Sequence, residues 1–70
     1  MKEFTVIVEQ DEDGWYIGTV AELPGCHTQA KTMDELTERI KEAIQVYREA
    51  EKGEPQISHF IAIQRVVVNA

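Results

Sequence analysis

The stretch that decides the fold is Asp11–Lys31, DEDGWYIGTVAELPGCHTQAK. Its first four residues, Asp11–Gly14, predict a tight turn, because Asp tolerates turn conformations and the final Gly supplies a positive φ. The run Trp15–Ala21 predicts a strand, and Pro24-Gly25 predicts a second turn. A short third strand, Cys26–Lys31, then leads into the start of a helix.

The residues before this stretch predict the first strand, Glu3–Gln10. Apolar and polar side chains alternate along it with a period of two, and several of them are β-branched. In the returning strand, Gly18 marks a position that another element approaches closely, so its face is assigned to the helix. The two strands therefore form a hairpin around the acidic turn.

The helix start follows directly from the third strand. Thr32 and Glu35 have the spacing of a capping box, in which each side chain satisfies a free backbone N–H of the other residue. Gly53 and Pro55 predict the end, so the helix is expected from Met33 to Lys52. Five apolar residues recur at helical spacing and form one stripe: Leu36, Ile40, Ala43, Ile44 and Tyr47.

The last element is a predicted strand, Ile57–Val68, which is apolar on both faces. A right-handed crossover through the helix places it parallel to the first strand. The expected fold is α+β, with the order β-β-β-α-β. A four-stranded mixed sheet of order 3-2-1-4 carries one helix on one face, and residues 1–70 form a single domain.

The charge balance limits the possible partners. Seven Lys and Arg residues stand against 13 Asp and Glu residues, a formal net charge of −6. Such a chain lacks the cations that nucleic-acid binding needs, and a basic protein partner fits better. The alternative is that the charge only maintains solubility. With no signal peptide, no long apolar run and a single cysteine, we expect a cytoplasmic protein without membrane contact.

One helix covers only one face of the expected sheet. The other face is expected to hold an apolar set, which indicates an interaction surface. This set comprises Ile7, Trp15, Ile17, Ile61 and Ile63. We expect this face, or the free edge of the last strand, to form a homo-oligomer, a dimer or tetramer. In the alternative, the helix or the C-terminal strand curls round and shelters these side chains.

Glu9, Asp11, Glu12 and Asp13 form the one dense carboxylate cluster of the sequence. A two-metal nuclease needs further carboxylates from a later strand, and Ile57–Val68 has none. The cluster is therefore interpreted as a solvated turn or as an acidic contact for a basic partner. No metal or cofactor site is predicted.

Cys26 and His27 are neighbours in a predicted strand, where adjacent side chains point to opposite faces. They are therefore not expected to act together as nucleophile and base. Cys26 is predicted to be buried and His27 exposed.

The segment FTVIVEQDEDGWYIGTVAELPGCHTQAKTMDEL, followed by IKEAI, resembles the HicB antitoxin family. Its most specific parts are DGWY, then ELPGCHTQ, then the T-x-x-E helix start. The resemblance implies a partial ribonuclease H fold without nuclease carboxylates, no enzymatic activity, and a HicA-type partner, a small basic toxin that cleaves RNA. The antitoxin neutralises such a toxin by covering its active site.

Many members of that family continue into a DNA-binding segment. No basic recognition helix follows the last predicted strand, so no direct DNA binding is expected. The residues expected to contact a partner are Glu9, Asp11, Asp13, Trp15, Ile7, Ile17, Ile61 and Ile63. Two alternatives stay open: a degenerate ribonuclease H-like nuclease, and a homo-oligomeric domain that binds a small ligand.

Overall fold

Three strands and one helix follow one another in the computed structural model, which describes residues 2–50 and 58–69. The strands are β1 (Val6–Gln10), β2 (Tyr16–Val20) and β3 (His27–Ala30), and the helix is α1 (Met33–Ala50). Both strand pairs are antiparallel, and the sheet has the order β1-β2-β3. The fold class α+β, the three strands and their order are as the sequence predicts.

The turn between β1 and β2 is built around the carboxylate of Asp11. Its Oδ1 accepts hydrogen bonds from the backbone N–H groups of Asp13 and Trp15, both at 2.9 Å. Gly14 has a φ of 87°. This conformation is unfavourable for any residue that has a side chain. The acidic turn therefore has a defined structure, set by Asp11 and Gly14.

The helix begins at Met33, as the capping pattern predicts. The backbone N–H of Glu35 donates a 3.1 Å hydrogen bond to Oγ1 of Thr32. The carboxylate of Glu35 instead contacts Arg39, one turn further on, at 3.0 Å. The predicted capping box is thus half formed. The predicted helix end, with Gly53 and Pro55, lies outside the described residues.

The core lies between the sheet and α1. Gly18 lies beneath the helix: a Cβ atom placed there would be 3.0 Å from Cδ1 of Ile40 and 3.2 Å from Cγ1 of Val6. The absence of a side chain lets helix and sheet approach, which confirms the face assigned to Gly18. Besides Gly18, the buried residues are the apolar core residues Val20, Leu23, Cys26, Ala30, Leu36 and Ile40.

The predicted fourth strand and the sheet order 3-2-1-4 are not found in the described residues. Residues 58–69 have no regular secondary structure and are exposed throughout, and Ile57 lies outside the described residues. The sheet is therefore three-stranded there. The physical reason is that a strand apolar on both faces needs cover on both, whereas α1 covers one face only.

Candidate partner-binding surface

The sheet face opposite α1 carries a mixed apolar and acidic surface. In the register of the sheet, Ile7 pairs with Thr19 and Glu9 pairs with Ile17. Paired residues point to the same face, so these four side chains share the side that faces away from the helix. Ile7 and Ile17 are half-buried, and Glu9 is exposed. The structure thus brings together three of the residues expected to contact a partner.

Trp15 stands at the end of this face, where β2 leaves the acidic turn. Its ring is half-buried, and Nζ of Lys31 lies 5.1 Å from the ring centroid. An ammonium group at this distance is attracted by the face of the ring. Sequence reasoning missed Lys31. The signal was the antiparallel register of β2 and β3, which places these residues opposite each other just beyond the paired segment.

The acidic turn projects from the same end of the sheet. Asp11, Glu12 and Asp13 are all exposed. Asp11 differs from its neighbours because its carboxylate already accepts two backbone hydrogen bonds. The carboxylates of Glu9 and Asp13 form no hydrogen bond or ion pair within the described residues, so they are the better groups to receive a cation from a partner.

Ile61 and Ile63 do not lie on the sheet. They belong to the extended segment 58–69, where their exposed fractions are 87% and 69%. The expected surface is therefore divided into two parts. One is the sheet face with Ile7, Trp15 and Ile17, and the other is the C-terminal segment.

Cys26 and His27 lie as the sequence predicts. The thiol of Cys26 is buried in the core, and burial raises its pKa because the thiolate is the poorly solvated form. His27 is exposed on β3. The pair therefore gives no support for nucleophilic chemistry, since the thiolate is disfavoured where it lies.

Glu22, which sequence reasoning missed, forms hydrogen bonds to both Thr5 and Ser58. Its Oε1 accepts a 2.7 Å hydrogen bond from the backbone N–H of Thr5, and its backbone oxygen accepts one of 2.8 Å from Ser58. Desolvation raises the pKa of Glu22, but hydrogen bonds from Thr5 and from the backbone of Glu22 itself together outweigh this effect and leave the pKa below its usual value. Nothing in the local pattern signalled this contact, because Thr5 is 17 positions away.

Two properties of the described residues bear on other kinds of site. Within residues 2–50 and 58–69, no three His, Cys, Asp or Glu side chains are grouped so that they could share a metal ion. In the same part of the chain, no helix has both the length and the apolar character needed to cross a bilayer.

The fold is that of a small α+β domain with an acidic, partly apolar sheet face. Residues 4–69 match the family model described as a HicB-like antitoxin of bacterial toxin-antitoxin systems, so the chain belongs to that family. A UPF0150 protein of Archaeoglobus fulgidus is 52% identical over 66 residues, which cover 94% of each chain.

A UPF0150 protein of Synechocystis is 48% identical over 67 residues, which cover 96% of each chain. Another, from Thermoplasma acidophilum, is 52% identical over 50 residues, covering 71% of this chain and 72% of the relative. No solved structure matches the chain significantly.

Proposed function

We propose that this chain is an antitoxin that binds a small basic, RNA-cleaving toxin of the HicA type and covers its active site. The observation that carries the proposal is membership of the HicB-like antitoxin family over residues 4–69. The net charge of −6 and the position of the acidic turn beside an apolar sheet face support it. The proposed role is binding, without catalysis, in the cytoplasm.

The acidic end of the sheet supplies the electrostatic part of the mechanism. A toxin that cleaves RNA holds phosphate groups with Lys and Arg side chains. Carboxylates of Glu9 and Asp13 occupy those cations in place of phosphates, since charge-assisted hydrogen bonds to carboxylates are strong. RNA then cannot enter the site while the antitoxin is bound.

The sheet face supplies the apolar part. Ile7 and Ile17 lie beside Glu9 on this face, and Trp15 lies at its edge. Aromatic residues with partly exposed rings are common anchors of protein interfaces. Ile61 and Ile63 belong to the C-terminal segment, and we assign them to self-association into a dimer or tetramer.

The test is a search for a small basic polypeptide encoded next to the chain and its co-purification with the chain, followed by an assay of RNA cleavage. The chain carries a single tryptophan, so the fluorescence of Trp15 reports association in stopped-flow mixing. The E9K/D13K variant should associate at least tenfold more slowly at low salt and inhibit RNA cleavage poorly, because oppositely charged surfaces accelerate docking.

The matched control is E38K/E49K, which makes the same charge change on exposed positions of α1 away from Leu36 and Ile40. It should associate at nearly the normal rate. Equal slowing in both variants would show that only net charge matters, which would contradict the assigned contact. Absence of binding to the neighbouring polypeptide would contradict the antitoxin role itself. Asp11 is left out of this test because its carboxylate shapes the turn.

A further inference from the structure

The C-terminal segment, residues 58–69, has the composition of a strand, but its one backbone hydrogen bond to the rest of the described chain is that of Ser58 to Glu22. All twelve of its residues are exposed, and Val67 reaches 99%. Five of the twelve are β-branched, Ile61, Ile63, Val66, Val67 and Val68, which favours extended pairing. An exposed apolar run of this kind indicates a surface that is covered by something else. Its exposed large apolar residues are Phe60, Ile61, Ile63, Val66, Val67 and Val68.

The sheet offers an open edge along β1. Just before β1, Thr5 accepts a backbone hydrogen bond from Ala21 at 2.8 Å. Just after it, Asp11 donates one to Trp15 on the same side of the strand, at 2.9 Å. Backbone bonding to β2 therefore uses the odd-numbered residues, since bonding direction alternates along a strand. The backbone groups that point outward belong to Val6, Val8 and Gln10.

The opposite edge, along β3, is partly occupied. The guanidinium of Arg39 donates a 3.0 Å hydrogen bond to the backbone oxygen of Gln29. Arg39 is itself held by Glu35 at 3.0 Å. A charged side chain of α1 thus covers part of this edge and blocks the approach of another strand. β1 is therefore the edge that remains available.

An apolar cavity of about 120 Å³ lies between the β1 edge and the first half of α1. Val8 and Met33 are large apolar residues exposed there, at 40% and 46%. A strand added to β1 would place alternate side chains into this cavity, because alternate residues point toward the helix side of the sheet. The cavity is lined by Val6, Val8, Met33, Leu36, Thr37 and Ile40.

We propose that residues 58–69 of one copy pair with the β1 edge of a second copy, and that the second copy returns the same contact. Each copy carries both the exposed segment 58–69 and the open β1 edge, but the two are not paired within the described chain. An exchange between two copies satisfies both in a closed, two-fold arrangement. The charges are also complementary: the segment contains the basic Arg65, whereas β1 contains Glu9 and is followed by the acidic turn.

The reach of the segment favours a second copy over closure within one chain. Twelve extended residues span about 40 Å, against about 17 Å for the five residues of β1. The chain has a radius of gyration of 13.8 Å and a longest extent of 44 Å. A compact chain of this length has a radius of gyration of about 11 Å. The chain is thus more extended than a compact one of its length, and residues 58–69 are exposed throughout.

This inference rests on the self-association proposed above and adds the segment and the edge that form it. The test uses the full chain as an equimolar mixture of isotope-labelled and unlabelled copies. Isotope-filtered NMR should show contacts between the amides of labelled Val6–Gln10 and the methyl groups of unlabelled residues 58–69. Light scattering at about 100 μM, a concentration that populates any oligomer with a micromolar or lower dissociation constant, should show a dimer or a larger even assembly.

The I61K/I63K variant should dissociate at least tenfold more readily, whereas V46K should not, because Val46 is an exposed residue of α1 away from the β1 edge. An oligomer without contacts between the two isotopic species at β1 would overturn the exchange alone. Contacts found only within one species, or a monomer, would overturn it as well. A monomer would also remove the proposed self-association, and none of these results depends on toxin binding.

Discussion

The backbone N–H of Thr5 donates a 2.7 Å hydrogen bond to Oε1 of Glu22. Thr5 directly precedes β1, and Glu22 lies two positions after the end of β2. The backbone oxygen of Glu22 accepts a second bond from Ser58. One residue therefore holds the entry to the first strand and the beginning of the C-terminal segment. This makes Glu22 a structural carboxylate in a chain whose other acidic groups lie mainly on the surface.

The bond between Thr5 and Glu22 predicts a dependence of stability on pH. The pKa of Glu22 is lowered on folding from an ordinary value of 4.5. A lowered pKa means that the stabilisation is complete above the unfolded value and is lost as the pH falls through the folded one. Wild type should therefore lose more stability than Glu22→Gln below about pH 4.5, and the difference between them should be constant near pH 7.

Urea unfolding at fixed protein concentration and at several pH values between 3 and 7 measures this difference. Glu38→Gln is the matched control, because Glu38 is an exposed residue of α1 whose only described contact is with Lys41 at 3.5 Å. Its difference from wild type should change less with pH. Parallel curves for wild type and Glu22→Gln over the whole range would contradict the role given to this carboxylate.

Gly18 predicts a packing effect that two substitutions can separate. In Gly18→Ala the new methyl group lies 3.0 Å from Cδ1 of Ile40, which is too close, so we expect a loss of about 1–2 kcal/mol in the free energy of unfolding. Ile40→Val removes that Cδ1 methyl group and alone costs about 1 kcal/mol. The double variant should lose less than the sum, because the closest of the contacts is removed, although the 3.2 Å approach to Cγ1 of Val6 remains.

Gly14→Ala serves as the control for that cycle. A Cβ at Gly14 meets nothing within 4 Å, but the φ of 87° is strained for alanine. It should cost about 1 kcal/mol, with no coupling to Ile40→Val. Chemical denaturation of the three single variants and of the two double variants with Ile40→Val measures each free energy of unfolding and both couplings. Simple additivity of Gly18→Ala and Ile40→Val would show that the close approach is relieved elsewhere.

The sequence predicted the helix-facing side of Gly18 correctly, but the strand it predicted over residues 58–69 is not found there. Alternation, turn residues and the capping pattern are local signals, and they predicted β1 to β3, the start of α1 and the helix-facing side of Gly18. Whether residues 58–69 form a paired strand depends on distant groups and on cover for a second apolar face, which no local pattern encodes. The acidic part of the site followed from composition, whereas Lys31 and Glu22 act through contacts across strands and were missed.

The two aspartates of the first turn should differ in their effect on stability. Asp11→Ala removes the acceptor of two backbone hydrogen bonds and should destabilise the fold by about 1–2 kcal/mol. The carboxylate of Asp13 has no hydrogen bond within the described residues, so Asp13→Ala should change stability by no more than about 0.5 kcal/mol. Thermal unfolding of the two variants under identical conditions compares them directly. Equal losses would contradict the assignment of the turn to Asp11.

The thiol of Cys26 should be protected in the native state. It is 4% exposed, and burial raises its pKa, so both access and thiolate formation are disfavoured. Reaction with a disulfide reagent then requires local opening and should be roughly a hundredfold slower than for an open thiol, since opening costs a few kcal/mol. Val46→Cys provides that open thiol within the same chain, because Val46 is 64% exposed. In this variant the reaction should show a fast and a slow phase of equal amplitude, one for each thiol. In denaturant both thiols should react in one fast phase. Two equally fast thiols in the native variant would show that the core around Cys26 is open.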